Sequence, residues 1–415
     1  MNAPGGHHEI RHPSEEDFPQ FLKTGRAAFG MGVYPGDEDI HRPSFAPDRF
    51  HAAYDDGRMV GTIGSFELEL TIPGGRVLPA AGLTWAGVLP THRRTGVLRA
   101  LMAAQIEQAR AASLPLAILN ASEGGIYGRF GFGPASSAID FQVDSSRAAF
   151  ARPADAPGRI RLVESEEAAG MMAGVYEQTR SLRAGMVSRP PYLWHDLLAD
   201  PEWQRDGATP FFFAVHETPA GVADGYLLYR TVPRWTSVGP EYELKVSENV
   251  SPDPAVRAAL WHFATQVDLV TTVTTETAFP VDESLRWLFA DPRTLRLTRL
   301  ADDLWVRILD LPRALEARAY RAQGRLVLEI EDEDHPGDNG RFELAAGSAG
   351  STVSPSVRDP DVVLGTAALA TTYLGGVPFS RLAEAGMVRE RHHGALALAD
   401  LLFGTSAAPF CGTRF

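Results

Sequence analysis

The sequence predicts an α/β (α+β) chain folded as two or three domains, and three observations carry that prediction. At 415 residues, 44% hydrophobic and 22% charged, the chain is long enough for several cores of ordinary domain size. Short apolar runs of strand type alternate with segments of helical spacing, the pattern of mixed sheets faced by helices. That alternation starts afresh near Asp144 and again near Asp302, so the units are placed at 1–143, 144–303 and 304–415.

Composition excludes several function classes. No apolar run reaches the roughly 20 residues that a membrane span needs, and MNAPGGHHEIRHP lacks the apolar core of a secretory signal, so a cytoplasmic location and no membrane partner are expected. The single cysteine, Cys411, excludes an intrachain disulfide and a Cys-based zinc site. A formal charge of −13 argues against a nucleic-acid partner. It is compatible with attraction of cationic substrates, although acidic composition is also common in soluble proteins.

In chain order, Ser14 caps an amphipathic helix in HPSEEDFPQFLKTGRAAFG, with carboxylates in its first turn. MGVYPGDEDIHRPSF, rich in Gly, Pro and acid, reads as a loop or broken helix placed to touch a substrate. GRMVGTIGSFELELTIPGGRVLPAAGL holds two or three strands with a turn at Pro73, Gly74 and Gly75. Between Leu83 and Met102, a strand, LTWAGV, runs through LPTHRRTG into a helix, VLRALMAAQIEQARAA. The first-turn N–H groups of that helix have no partner inside it, and the macrodipole adds positive potential. The loop is therefore an anion site whose natural ligand is a phosphate. SLPLAILNASEGGIYGRFGFGPAS then reads as a strand entering a glycine-rich loop and a short helix with Tyr127.

The second unit holds a strand and helix in RIRLVESEEAAGMMAGVYEQTRS, a hairpin-like pair in GATPFFFAVHETPAGVADGYLLYRTV and a helix in PDPAVRAALWHFATQVD. Its loops lack the RRxxG signature. The third holds a strand and helix in LWVRILDLPRALEARAY, a hairpin in RLVLEIEDEDHPGDNGRFELAA, helical segments in AALATTYLGGVPFSRLAEAG, and a tail, PFCGTRF.

The order helix, strands, motif strand, motif helix, strand and GxYxxxGF resembles the GCN5-related N-acetyltransferase fold. In that fold an Arg/Gln-x-x-Gly-x-Gly/Ala loop holds the pyrophosphate of coenzyme A through backbone N–H groups. Arg93-Arg94-Thr95-Gly96-Val97-Leu98 matches except at Leu98, where Gly or Ala is usual. PTHRRTGVLRALM together with NASEGGIYGRFGFGPA resembles one branch more closely, the Eis-like (enhanced intracellular survival) acetyltransferases, and the resemblance extends over the chain. It implies a catalytic domain at 1–143, a second acetyltransferase-like domain without the coenzyme A loop at 144–303, and a sterol-carrier-like domain at 304–415 whose C-terminus enters the first domain's active site. It also implies acetyl-CoA as cosubstrate, no metal, a small-molecule primary amine such as an aminoglycoside or other polyamine as acceptor, and a homohexamer.

Acyl transfer to an amine needs a base for the amine, a donor to the carbonyl oxygen and an acid for the departing thiolate. The resemblance places Ala86, Gly87 and Val88 beside the pantetheine arm, Arg93, Arg94, Gly96 and Val97 at the pyrophosphate, and Ser122 among the cofactor contacts. Tyr127 is the candidate acid, because a phenol titrates near ~10 and the surrounding glycines let backbone approach a ligand. The alternative is a core tyrosine satisfied locally. No His or Glu near the motif is a compelling base, and His92, beside two arginines, reads as structural. The resemblance supplies the α-carboxylate of Phe415, a group that titrates near ~3.3 to 3.7 in model peptides and would act by position or through water.

The apolar, proline-marked ending favours docking over fraying. Arg414 stands where the aminoglycoside-acetylating members commonly carry an acid. It would repel a polycation unless Asp37, Glu38 and Asp39 compensate, so aminoglycoside acetylation is expected to be narrow or weak. A protein-lysine acetyltransferase and a coenzyme A-binding regulator are the alternative functions.

Other features carry less. Asp332-Glu333-Asp334-His335-Pro336-Gly337, with Glu343, partly fits a calcium loop, but Pro336 cannot ligate and strands flank it, so it reads as a solvated hairpin turn. His7-His8 and His392-His393 lack partners at metal spacing. Cys411 reads as a small buried apolar residue.

Overall fold

The computed structural model describes residues 8–347 and 350–415, so His7 lies outside the described residues. Helix α1 (Phe18–Ala28) is entered through a single 3-10 turn, where the N–H and hydroxyl of Ser14 donate to the Asp17 carboxylate at 2.9 and 3.0 Å. The acidic loop forms a short helix, α2 (Asp37–His41).

The first sheet runs in the order β1 (Glu9–Arg11), β2 (Phe50–Asp55), β3 (Arg58–Thr71), β4 (Val77–Val88), β5 (Leu116–Asn120), the strand Leu304–Ile308, and β6 (Gly133–Pro134). β3 and β4 make one long hairpin, so LTWAGV is the end of a 12-residue strand and not a separate element. Helix α3 (Val97–Ala111) covers one face, where Val97, Leu101 and Met102 pack on Val60, Ile63 and Leu83. On the other face, Phe21, Leu68 and Leu70 share a core with Leu326, Leu344 and Phe379 of the third unit.

Two strands lie outside the units that the sequence assigned to them. Ser137–Asp144 (β7), placed mainly in the first unit, hydrogen-bonds in the second sheet against 270–275 and 295–302. Leu304–Ile308, placed at the start of the third unit, returns to the first sheet between β5 and β6. Both runs are strand-like in pattern, and periodicity identifies a strand without naming its partner.

The second sheet continues through 242–250, 223–232, 212–217 and 159–163, and the third comprises 350–355, 340–347, 324–330, 362–364 and 388–390. Among the described residues, no helix is long and apolar enough to cross a membrane.

Candidate active site

The site begins where two strands part. β4 and β5 pair in parallel only across Ala80 and Leu116, Ala81 and Ala117, and Gly82 and Ile118. Beyond Gly82, β4 bulges, with Trp85 and Ala86 together opposing Ile63 between the pairs Thr62–Gly87 and Gly64–Thr84. A bulge bends its strand, and here it opens a slot between β4 and β5. Trp85 sits at a φ of 54°, a left-handed conformation that costs a non-glycine residue about 1–2 kcal/mol. Tertiary packing holds it there. The Thr62 hydroxyl donates to its carbonyl at 2.8 Å, and its ring lies so close to Gly25 of α1 that a Cβ there would come within 2.8 Å.

One side of the slot is a groove of about 990 Å³ lined by Ala86, Gly87, Val88, Arg93, Arg94, Gly96, Val97, Ser122 and Tyr127. Gly96 is the N-cap of α3 at a φ of 94°, with no capping side chain, and the first bond closing the helix runs from Ala100 N–H to Gly96 O at 3.0 Å. The N–H groups of Val97, Leu98 and Arg99 are thus left for an anion, as the sequence motif requires. Leu98 also lines the groove. Its departure from Gly or Ala leaves the backbone donors in place.

The two arginines are not equivalent. Arg93 donates through Nη2 to the carbonyl of Ala28 at 2.7 Å and so ties the loop to the end of α1, whereas Arg94 adopts a φ of 65°. Arg99 and Arg129 also face the groove and were missed from the sequence. First-turn helical spacing would have found Arg99, while Arg129 needed the fold. His92 is held by Asp55 at 3.1 Å.

Tyr127 ends the short helix Gly124–Tyr127 and is 5% exposed, its ring against Phe132 and Trp305. Burial raises its pKa above the ordinary phenol value, and a hydrogen bond with the Ser122 side chain partly offsets the rise. The phenol is therefore protonated at neutral pH, as a proton donor must be. A second cavity of about 340 Å³ shares Phe29, Ala86, Ser122 and Tyr127 with the groove and extends to Phe415.

The chain terminus reaches this place because the second unit holds it. Phe410 N–H donates to Ala184 O at 2.9 Å and Cys411 N–H to Asp303 Oδ2 at 2.8 Å. The Thr413 hydroxyl meets Tyr176 Oη at 2.9 Å and accepts from Arg189 Nε at 3.0 Å. Arg189 is itself paired with Glu248 at 2.5 Å, both nearly buried. Phe415 packs against Gly82, where a Cβ would stand 3.2 Å from the phenyl ring. Cys411 is fully buried, and burial pushes its thiol well above the usual range, which makes it a poor nucleophile.

Of the acidic run of the early loop, Asp37 is not open to a cation, while Glu38 and Asp39 are exposed. Asp37 is fully buried and accepts from Arg26 Nη2 at 2.7 Å and from Tyr34 N–H at 2.9 Å. Glu38 lies 3.4 Å from Arg42. Asp332 accepts from Thr366 N–H at 3.2 Å and from His335 N–H at 3.1 Å, between two strands, and His392 Nδ1 meets Asp361 at 2.9 Å. Among the described residues, no three His, Cys, Asp or Glu side chains gather as a metal site.

Comparison with known proteins agrees with this architecture. Residues 9–135 and 185–308 each match the acetyltransferase (GNAT) domain, and 311–412 match the sterol carrier protein domain. An N-acetyltransferase of Streptomyces avermitilis is 36% identical over 408 residues, covering 97% of this chain and 98% of that protein. N-acetyltransferase Eis of Mycobacterium tuberculosis is 34% identical over 406 residues, covering 95% and 96%. The crystal structure of Eis1 from Mycobacterium abscessus superposes with a TM-score of 0.85 at 31% identity, covering 98% of this chain and all of that one. Two tandem acetyltransferase domains, a sterol-carrier-like third domain and full-length relatives of this kind mean that the chain belongs to the Eis-like family of GCN5-related N-acetyltransferases.

Proposed function

We propose that this acetyltransferase moves the acetyl group of acetyl-CoA to a small-molecule primary amine, with Tyr127 as general acid and the α-carboxylate of Phe415 as base. The observation that carries the reading is the meeting of two cavities at Tyr127 and Ser122, with the chain terminus on the side away from the α3 loop. A groove of about 990 Å³ ending on uncapped helix N–H groups suits a long anionic nucleotide, with Arg94, Gly96, Val97 and Arg99 at its phosphates. When bound, acetyl-CoA supplies an activated thioester.

The protein's own groups do the rest. The bulge at Trp85 and Ala86 frees backbone N–H groups from the ladder for the carbonyl oxygen. Phe415 takes the proton that the amine loses as the C–N bond forms, and Tyr127 gives its proton to sulfur as the C–S bond breaks. A reducing, cytoplasmic setting suits the one buried thiol, and a homohexamer is carried over from the family resemblance.

The test measures acetyl-CoA consumption over a panel of amines, on protein with its native terminus and on protein extended by several residues past Phe415. Extension should leave acetyl-CoA binding intact and lower kcat by at least 100-fold. Equal turnover by the two forms would remove Phe415 from the mechanism.

A further inference from the structure

The second unit has a slot of its own. The strand Tyr242–Val250 pairs in parallel with Val270–Thr275 only as far as Val246, whose carbonyl accepts from Glu276 N–H at 2.8 Å. Beyond that point the two chains part, as β4 and β5 do in the first unit. The helix that follows, Pro254–Thr265, cannot receive a phosphate as α3 does, because Asp253 accepts from Ala255 N–H at 2.8 Å and Pro254 has no N–H to offer. A cavity of about 140 Å³ lies in the gap, and the tail residues Phe410, Cys411 and Gly412 form one of its walls. It shares no lining residue with the two cavities that meet at Tyr127.

Most of its polar side chains are already engaged. Arg189 is paired with Glu248, and Asp282 accepts from Arg183 Nη1 at 2.7 Å and from Ala408 N–H at 2.9 Å. Three others keep free hydrogen-bonding positions. Asn249 donates through Nδ2 to Arg257 O at 3.1 Å, and its Oδ1 is buried without a partner. Arg257 donates through Nη1 to Ser251 O at 2.8 Å, and Glu283 Oε1 accepts from Leu285 N–H at 3.2 Å. Neither Arg257 nor Glu283 belongs to an ion pair among the described residues. Burial pushes the Glu283 carboxyl above its usual range, and the nearby Arg257 charge draws it partly back.

A guanidinium, a carboxylate and a neutral oxygen around one small cavity complement a molecule that carries both charges. An ammonium suits Glu283 and Asn249 Oδ1, and a carboxylate suits the free edge of Arg257. Met186, Phe279 and Phe410 add an apolar wall. The volume is several times what one water needs, which admits a small molecule and not a nucleotide.

We propose that this cavity binds an apolar α-amino acid, its ammonium at Glu283 and Asn249 Oδ1, its carboxylate at Arg257 and its side chain against Met186, Phe279 and Phe410. Each charge of the ligand meets the group that lacks a partner, so no charge is left buried and uncompensated. Because the tail walls the cavity, the ligand binds the docked tail better than a released one, and its binding steadies the chain end. This site is separate from acetyl transfer and does not depend on the role of Phe415 there.

Calorimetric titration of the full chain with L-leucine, L-methionine, L-leucinamide and N-acetyl-L-leucine tests the site. The two amino acids should bind at least 10-fold more tightly than the amide, which lacks the carboxylate, or the N-acetyl form, which lacks the ammonium. Glu283→Gln and Arg257→Met should each weaken binding of L-leucine at least 10-fold, and a Tm near that of the wild type separates lost recognition from lost fold. The comparison of ligands on the wild-type chain stands even where a variant is unstable. Saturating L-leucine should also slow the release of Phe415 by a carboxypeptidase at least 3-fold. Equal affinity for the amide or the N-acetyl form, or no binding of either amino acid, would overturn the site. Binding that leaves Phe415 release unchanged would overturn its link to the tail.

Discussion

Arg189 donates through Nε to the Thr413 hydroxyl at 3.0 Å, so a buried arginine of the second unit holds the chain two residues before its end. The same guanidinium pairs with Glu248, and Tyr176 reaches Thr413 from the helix Ser165–Arg180. The second unit lacks the phosphate loop of the first but positions a group at the first unit's centre.

Thr413→Val should therefore act on turnover. It keeps the side chain's shape and leaves Arg189 Nε without its acceptor, a loss of about 1–3 kcal/mol for a buried donor. We expect kcat to fall several-fold with an unchanged Kd for acetyl-CoA, read by initial rates and calorimetric titration. Arg189→Met leaves Glu248 buried without its cation and should destabilise the protein by about 3–5 kcal/mol, seen as a lower Tm.

Tyr127→Phe tests the proposed acid apart from the fold. The ring still packs on Trp305 and Phe132, so Tm should be nearly unchanged, while kcat should drop about 10²–10⁴-fold for loss of a general acid. A donor must carry its proton, and burial raises the Tyr127 pKa, so the wild-type rate should show no alkaline limb from this group below about pH 10. The linked stability has the same sign: it is complete below the unfolded phenol's pKa and is lost as pH rises through the higher folded value. A pH–rate profile with an alkaline limb near neutrality that vanishes in Tyr127→Phe would contradict this environment.

Gly133→Ala tests how the third unit is seated. A Cβ at Gly133 would stand 2.1 Å from the carbonyl oxygen of Ala367 and 2.7 Å from the backbone nitrogen of Thr371, in the helix Thr366–Tyr373. Backbone cannot move aside as a side chain would, so the substitution should destabilise by about 3 kcal/mol, the upper range for overpacking. Thermal unfolding should show a clear fall in Tm, and limited proteolysis should release the third unit. An unchanged Tm would show that the two units separate readily.

Much of the donor half of the site is local in sequence. An N-cap glycine, uncapped N–H groups and the arginines beside them sit within one strand, loop and helix, and short-range geometry dictates their arrangement. LTWAGV is a strand and VLRALMAAQ a helix in any context their periods allow. The half of the site that ends at Phe415 is long-range. Residues 26–31, 85, 120 and 415 meet only because β4 parts from β5 and the tail docks.

The chain's sequence determined its family, its mixed α/β elements and the phosphate loop, because those follow from periodicity, capping and spacing over a few turns. Tertiary structure decided which sheet receives Ser137–Asp144 and Leu304–Ile308, where Phe415 lies, and that Asp37 serves Arg26 and not a substrate. Strand partners and buried ion pairs depend on which distant surfaces pack together and what that packing takes from water, and local pattern carries neither.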